Sequence, residues 1–144
     1  MSADVYDTST VQVETLREIP LFAHLSEHAL SHLAEAATEV RLPPGHVLFE
    51  PGQEGCGLLI VLEGEAEIHL GSRVVGRGPG EVLGELTLLV DGLKHVARVQ
   101  AATPMTCLAI RRDDFVDLLA EHPGVAVVLV PVLARRLAET EALA

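Results

Sequence analysis

Lysine is nearly missing from this chain. Only Lys94 is present, and acidic residues outnumber lysine plus arginine by 21 to 10, leaving a net charge of −11 over 144 residues. Basic residues adjoin only as Arg111-Arg112 and Arg135-Arg136. A field of that sign repels a phosphate backbone, which predicts no nucleic-acid partner. A long apolar run is also missing. The longest, Val125 to Ala134, falls short of the ~20 residues that span a bilayer, so no membrane partner is expected. The opening stretch, Met1 to Thr10, has neither a positive flank nor an apolar run, which argues against an export signal and for a cytoplasmic protein. Cysteine is scarce: Cys56 and Cys107 stand far apart, outside any C-x-x-C pair, and read as reduced thiols.

Catalytic signatures are lacking as well. There is no nucleophile elbow, phosphate-binding P-loop or dinucleotide fingerprint, and Gly76-Arg77-Gly78 lacks the strand-then-helix setting of the last. His46 and His69 stand alone on separate strand-like runs, without the H-x-H and glutamate of a metal-holding jelly-roll enzyme. His28 and His32 are spaced i, i+4, with Glu35 nearby, a spacing able to hold zinc. They lie opposite Leu30, Leu33 and Ala37, which makes them a solvent-facing stripe. The expectation is a protein that is not an enzyme, with no metal and no resident cofactor.

What is present reads as one domain in three blocks, since domains commonly run to ~100–150 residues. Residues are 49% hydrophobic and 22% charged, which excludes a disordered chain. The first block is helical. Thr10 to Glu18 forms a short turn of helix, and Ser26 caps a second helix with apolar positions Leu30, Leu33, Ala34 and Ala37, ending near Thr38. The second block, Glu39 to Ile110, is punctuated by glycine and proline. Its short β-forming runs are Val47 to Phe49, Leu58 to Leu62, Ala66 to Leu70, Val74-Val75, Ala97 to Ala101 and Met105 to Ile110. Many short strands at this spacing predict a sandwich or barrel. Val82 to Leu89 breaks the rhythm and fits a helical turn starting near Gly84. The third block is helical again. Asp113 caps a helix that stops near His122-Pro123-Gly124, and a second helix runs from Gly124 to near Leu143, kinked at Pro131. Its first half is apolar on all sides, so the β-block or a partner subunit must cover it.

The order and the motifs together resemble the cyclic-nucleotide-binding domain family. IPLFAHLSEHALSHLAEAA (Ile19 to Ala37) is similar to its opening helices. LPPGHVLFEPGQEGCGLLIVLEGEAEI (Leu42 to Ile68) is similar to its first strands, with Gly45, Gly52 and Gly64 in family places. GPGEVLGELTLL (Gly78 to Leu89) resembles its phosphate-binding cassette, and IRRDDFVDLLAEHP with LARRLAETEAL its closing helices. The resemblance implies a mainly β fold: an antiparallel β-roll, or jelly-roll, with N-terminal helices and two C-terminal helices. Residues 1–18 form an extension and 19–144 the domain.

The resemblance implies ligand-binding residues Gly84, Glu85, Leu86, Thr87, His95 and Val96. Glycine at 84 lets backbone approach a ligand without a Cβ. The turn after it would offer free N–H groups to an anion, with Glu85 for a ribose hydroxyl and the Leu86 and Thr87 N–H groups near the phosphate. GELTLL reads equally well as a structural corner. His95 falls where the family places an arginine that grips the cyclic phosphate, and Val96 where a small hydroxyl or alanine stands. A shifted register that offers Arg98 instead spoils the strand match. A neutral imidazole is a weak substitute, and its protonation would link binding to pH.

Two functions follow. The first is a non-catalytic, ligand-sensing regulatory module that binds cAMP, cGMP or a related nucleotide and moves its C-terminal helix. The second is a fold-only protein-interaction or dimerisation module that no longer binds cyclic nucleotide. Either would pass its output to an effector protein of unknown identity, and homodimerisation through the C-terminal helix is expected.

Overall fold

The structure, a computed structural model, describes residues 11–54, 57–84, 92 and 94–143. In chain order these form helix α1 (Val13–Arg17), a 3-10 turn (Pro20–Phe22) and helix α2 (Glu27–Ala36). Strands β1 (Ala37–Leu42), β2 (Val47–Phe49), β3 (Gly57–Glu63) and β4 (Ala66–Leu70) follow. Next come β5 (Arg73–Arg77), β6 (Val82–Leu83), β7 (Arg98–Ala101) and β8 (Met105–Arg111). Helices α3 (Arg112–Glu121) and α4 (Gly124–Leu143) close the chain. The strands make two four-stranded sheets, ordered β1-β8-β3-β6 and β2-β7-β4-β5, with antiparallel pairing throughout. This is the expected antiparallel roll with flanking helices.

The first sheet is covered on both faces, which explains its sequence. Leu58 and Ile60 of β3, Val82 of β6, and Leu108 and Ile110 of β8 pack with Leu16, Phe22, Leu30, Phe115, Val125 and Leu129 from the helical segments. The alternate residues, Val61, Leu83, Met105 and Cys107, pack against Phe49, Ala66, Val99 and Ala101 of the second sheet. Successive side chains on a strand point to opposite faces, so a strand with two covered faces becomes a continuous apolar run. GLLIVLE in β3 is such a run. Burial pushes the Cys107 thiol up to about 12, leaving it un-ionised at neutral pH.

Several boundaries differ from expectation. Ser26 does cap α2, its Oγ accepting from the Ala29 N–H at 3.1 Å. However, α2 ends at Ala36 and β1 starts at once on Ala37, ahead of the expected Glu39. ATEVRL has little β-forming character, but β1 is an edge strand, where polar residues are tolerated and blunt the open edge. Val82 and Leu83 are strand, and most of the expected helical turn, residues 85–89, lies outside the described residues. Asp113 is not the cap of α3. β8 runs directly into the helix, so Arg111 takes the cap position without a side-chain bond, and Asp113 and Asp114 fall in the first turn. There their charge still favours the helix N-terminus. α4 spans Pro131 as one helix. It is half covered: Val125 and Leu129 are buried, while Val127 (73%), Val130 (59%) and Leu137 (57%) are exposed along its outer face.

His28, His32 and Glu35 are exposed, and His32 Nδ1 lies 3.7 Å from Glu121 Oε1 across the α2–α3 contact. Gly64, with φ of 90°, makes the turn between β3 and β4. A Cβ there would strike the Pro104 carbonyl oxygen and lie 2.9 Å from Met105 Cα. Gly71, with φ of 60°, has open space instead. Gly64→Ala is expected to cost about 3 kcal/mol or more in chemical denaturation, since strain and overlap add. Gly71→Ala is expected to cost about 1–2 kcal/mol, from backbone strain alone. Equal losses would contradict the packing described at Gly64.

Candidate functional site

Of the six residues expected to bind ligand, Gly84, His95 and Val96 are described, whereas Glu85, Leu86 and Thr87 lie outside the described residues. Gly84 and His95 meet on one side chain, Phe49. The Phe49 and His95 rings stack with centroids 4.1 Å apart and planes inclined by 18°. Gly84 sits at the edge of the same ring, with φ of 84°; a Cβ there would lie 3.2 Å from Phe49 Cζ and 3.0 Å from the Gly57 carbonyl oxygen. Glycine is therefore required at 84 by backbone conformation and packing within the protein, in addition to any approach of ligand.

His95 is held by its backbone. Its N–H donates to the Gln53 carbonyl at 2.8 Å, and its carbonyl accepts from the Gly52 N–H at 2.9 Å. A bridge between Glu54 and Lys94 extends this pairing by one residue. The loop after β2 and the segment before β7 thus form a short antiparallel contact, which sets the imidazole over Phe49. Burial there lowers the His95 pKa below its ordinary 6.5, because the charged form loses water. The ring is neutral at pH 7. Val96 does not plug the site: it is 73% exposed. Arg98 is occupied elsewhere, its Nε donating to Glu50 Oε1 at 3.0 Å on the outer face of the second sheet.

Sequence reasoning missed Phe49 as a site residue. It lies in a β-forming run where an aromatic reads simply as core, and its contact with His95 spans distant segments. Sequence reasoning also gives Arg136 only as half of an adjoining basic pair, Arg135-Arg136. Arg136 of α4 is nearly buried, its side chain 11% exposed, and its Nη2 donates to the Val82 carbonyl at 3.0 Å. That bond ties α4 to β6 two residues before Gly84.

The cyclic nucleotide-binding domain pattern matches residues 39–122, more than half of the chain. The chain belongs to that family. It is 35% identical over 129 residues to the "Cyclic AMP receptor protein" of Thermus thermophilus, covering 85% of this chain and 59% of that one. It is 38% identical over 109 residues to the "HTH-type transcriptional regulator Cmr" of Mycobacterium tuberculosis, covering 72% of this chain and 44% of that one. Among solved structures it resembles the regulatory subunit of a cAMP-independent protein kinase A from Trypanosoma brucei, in a triple mutant described as bound to cAMP in the A site. That likeness has a TM-score of 0.70 at 26% identity, over 86% of this chain and 45% of that one. Its three substitutions introduce one arginine and two alanines.

The chain thus spans about half the length of these relatives, whose names are those of a receptor, a regulator and a regulatory subunit. A transcriptional regulator among the relatives conflicts with the reading that nucleic acid is excluded as a partner. The charge of −11 is that of these 144 residues. It says nothing of what the greater part of that regulator, outside the match, contacts. Among the described residues no helix is long and apolar enough to cross a membrane.

A histidine whose folded pKa lies below its unfolded value binds fewer protons folded than unfolded, so its contribution to stability is present above 6.5 and is lost as pH falls through the lowered folded pKa. NMR titration is expected to place the His95 midpoint below 6.5, and His95→Phe is expected to flatten the rise of stability with pH across that window. A midpoint at or above 6.5 would refute the burial assigned to the ring.

Proposed function

We propose that this chain is a non-catalytic regulatory sensor domain of the cytoplasm whose pocket takes a cyclic nucleotide only weakly at neutral pH. One observation carries this reading. Gly84 and His95, the two ends of the proposed cassette, rest on the same Phe49 ring, which supports a retained frame with a neutral imidazole at the proposed arginine place. Glu85, Leu86 and Thr87 complete the proposed binding set by resemblance, with Val96 at its rim. No cofactor is needed.

The proposed output runs through β6. Ligand contact near Gly84 shifts the segment that holds the Val82 carbonyl, and Arg136 carries that shift to α4. A ligand moves such an equilibrium only by its difference in affinity for the two states. The T. brucei subunit supports the weak-binding part: a protein called cAMP-independent is described with cAMP bound after substitutions that include a new arginine and a new alanine.

A second reading, a fold-only interaction or dimerisation module, is favoured by the exposed stripe of Val127, Val130 and Leu137 on α4. A large apolar stripe on one helix face marks a contact surface. Calorimetry with cAMP and cGMP separates the two. For the sensor, His95→Arg combined with Val96→Ala is expected to raise affinity by roughly 30- to 1,000-fold, the worth of a buried charge-assisted phosphate contact. Binding by the unaltered chain is expected to be stronger at about pH 6 than at about pH 8, because phosphate favours protonated His95. A folded double variant that still gives no binding heat at millimolar nucleotide would leave the interaction module as the function.

A further inference from the structure

Phe49 ends β2 beside a break in its pairing. Val47 lies opposite Gln100 and Phe49 opposite Val99, so two residues of β2 advance for one of β7. Such a bulge bends a strand and re-aims the side chain next to it. Phe49 points into the roll, where it is buried among Val61, Leu83, Val99 and Met105. None of these neighbours is aromatic. The other two phenylalanines, Phe22 and Phe115, belong to the helical core. Among the described residues Phe49 is the one benzene ring inside the roll. Volume alone does not call for it, since leucine and methionine fill the same core. What a ring adds is a flat face.

That face is in use. The His95 imidazole covers it, with centroids 4.1 Å apart and planes inclined by 18°. The Cζ edge of the ring abuts Gly84. The residues just after Phe49 also grip the backbone at 95: Gln53 accepts from the His95 N–H, and the Gly52 N–H donates to the His95 carbonyl. One stretch of chain, 49–53, therefore fixes residue 95 at both its backbone and its ring.

A flat platform does not act equally on every side chain. Imidazole and guanidinium are planar and stack on an aromatic face. An ammonium is a compact, strongly hydrated point charge with no plane to match.

We infer that Phe49 is a positioning residue of the nucleotide site: its ring orients the planar group at position 95 and so selects which kind of cation can serve there. It acts through residue 95 and makes no contact with phosphate itself. The inference rests on the reading that position 95 faces the phosphate of a bound cyclic nucleotide. On that reading guanidinium outperforms ammonium at 95 through the platform as well as through its own forked donors.

The stack is tested first without ligand. In the NMR spectrum of the unaltered chain, the His95 ring protons are expected upfield of those of the other six histidines, shifted by the ring current of Phe49. Phe49→Leu and Phe49→Met are expected to abolish that shift. Calorimetry with cAMP then compares His95→Arg with His95→Lys, each combined with Val96→Ala. With Phe49 in place, the Arg variant is expected to bind roughly 30-fold more tightly than the Lys variant, from the fork and the stack together. Adding Phe49→Leu or Phe49→Met is expected to cut that ratio about tenfold, the worth of a desolvated stacking contact. A change that merely loosened the fold would weaken both cations alike and leave their ratio intact. The ring shift and the first comparison keep Phe49, so they decide the matter even where a variant at 49 does not fold. Unshifted His95 ring protons, equal affinity of the Arg and Lys variants, or a ratio unchanged by Phe49→Leu overturns this inference alone. Absence of binding heat from both cation variants at millimolar cAMP overturns the sensor reading, and this inference with it.

Discussion

The first sheet is buried on both faces, and the rest of the molecule is arranged around that constraint. Its even-numbered residues on β3, β6 and β8 face the helices, and its odd-numbered ones face the second sheet. A shift of one residue in any of these strands would exchange the two sets and undo both cores at once. The two-residue strand β6 gains its importance from this. Val82 belongs to the helical core and Leu83 to the roll interior, so one short strand communicates with both. Everything proposed about signalling from cassette to α4 depends on that position.

Inside the roll, Phe49 does for the site what β6 does for the fold. Its ring stacks on His95 and abuts Gly84, joining the end of β6 to the segment that precedes β7. The same contact removes water from the imidazole and holds it neutral. At the position where the proposed function places a phosphate-binding group, the charge of the ring is suppressed by its own packing.

Charge proved informative locally and misleading globally. The acidic total describes these 144 residues, yet one wall beside α4 gathers Arg77, Arg135 and Arg136. Relatives of roughly twice the length include a transcriptional regulator. A net charge averages over surfaces that a ligand meets one at a time.

Strand alternation, glycine at turns and the Ser26 cap are local codes, and they made the β-roll, the closing helices and the family legible from residue order alone. The β3 run GLLIVLE and the 20-residue span of α4 are read directly in this way. The edge strand β1 was not legible, because its polar sequence is permitted by its place at the border of a sheet. The stacking of His95 on Phe49, the suppression of its charge, and the approach of Arg136 to Val82 were likewise invisible in one dimension. Each joins residues more than forty positions apart. Burial and proximity arise only when distant segments close on one another, and no local periodicity encodes them.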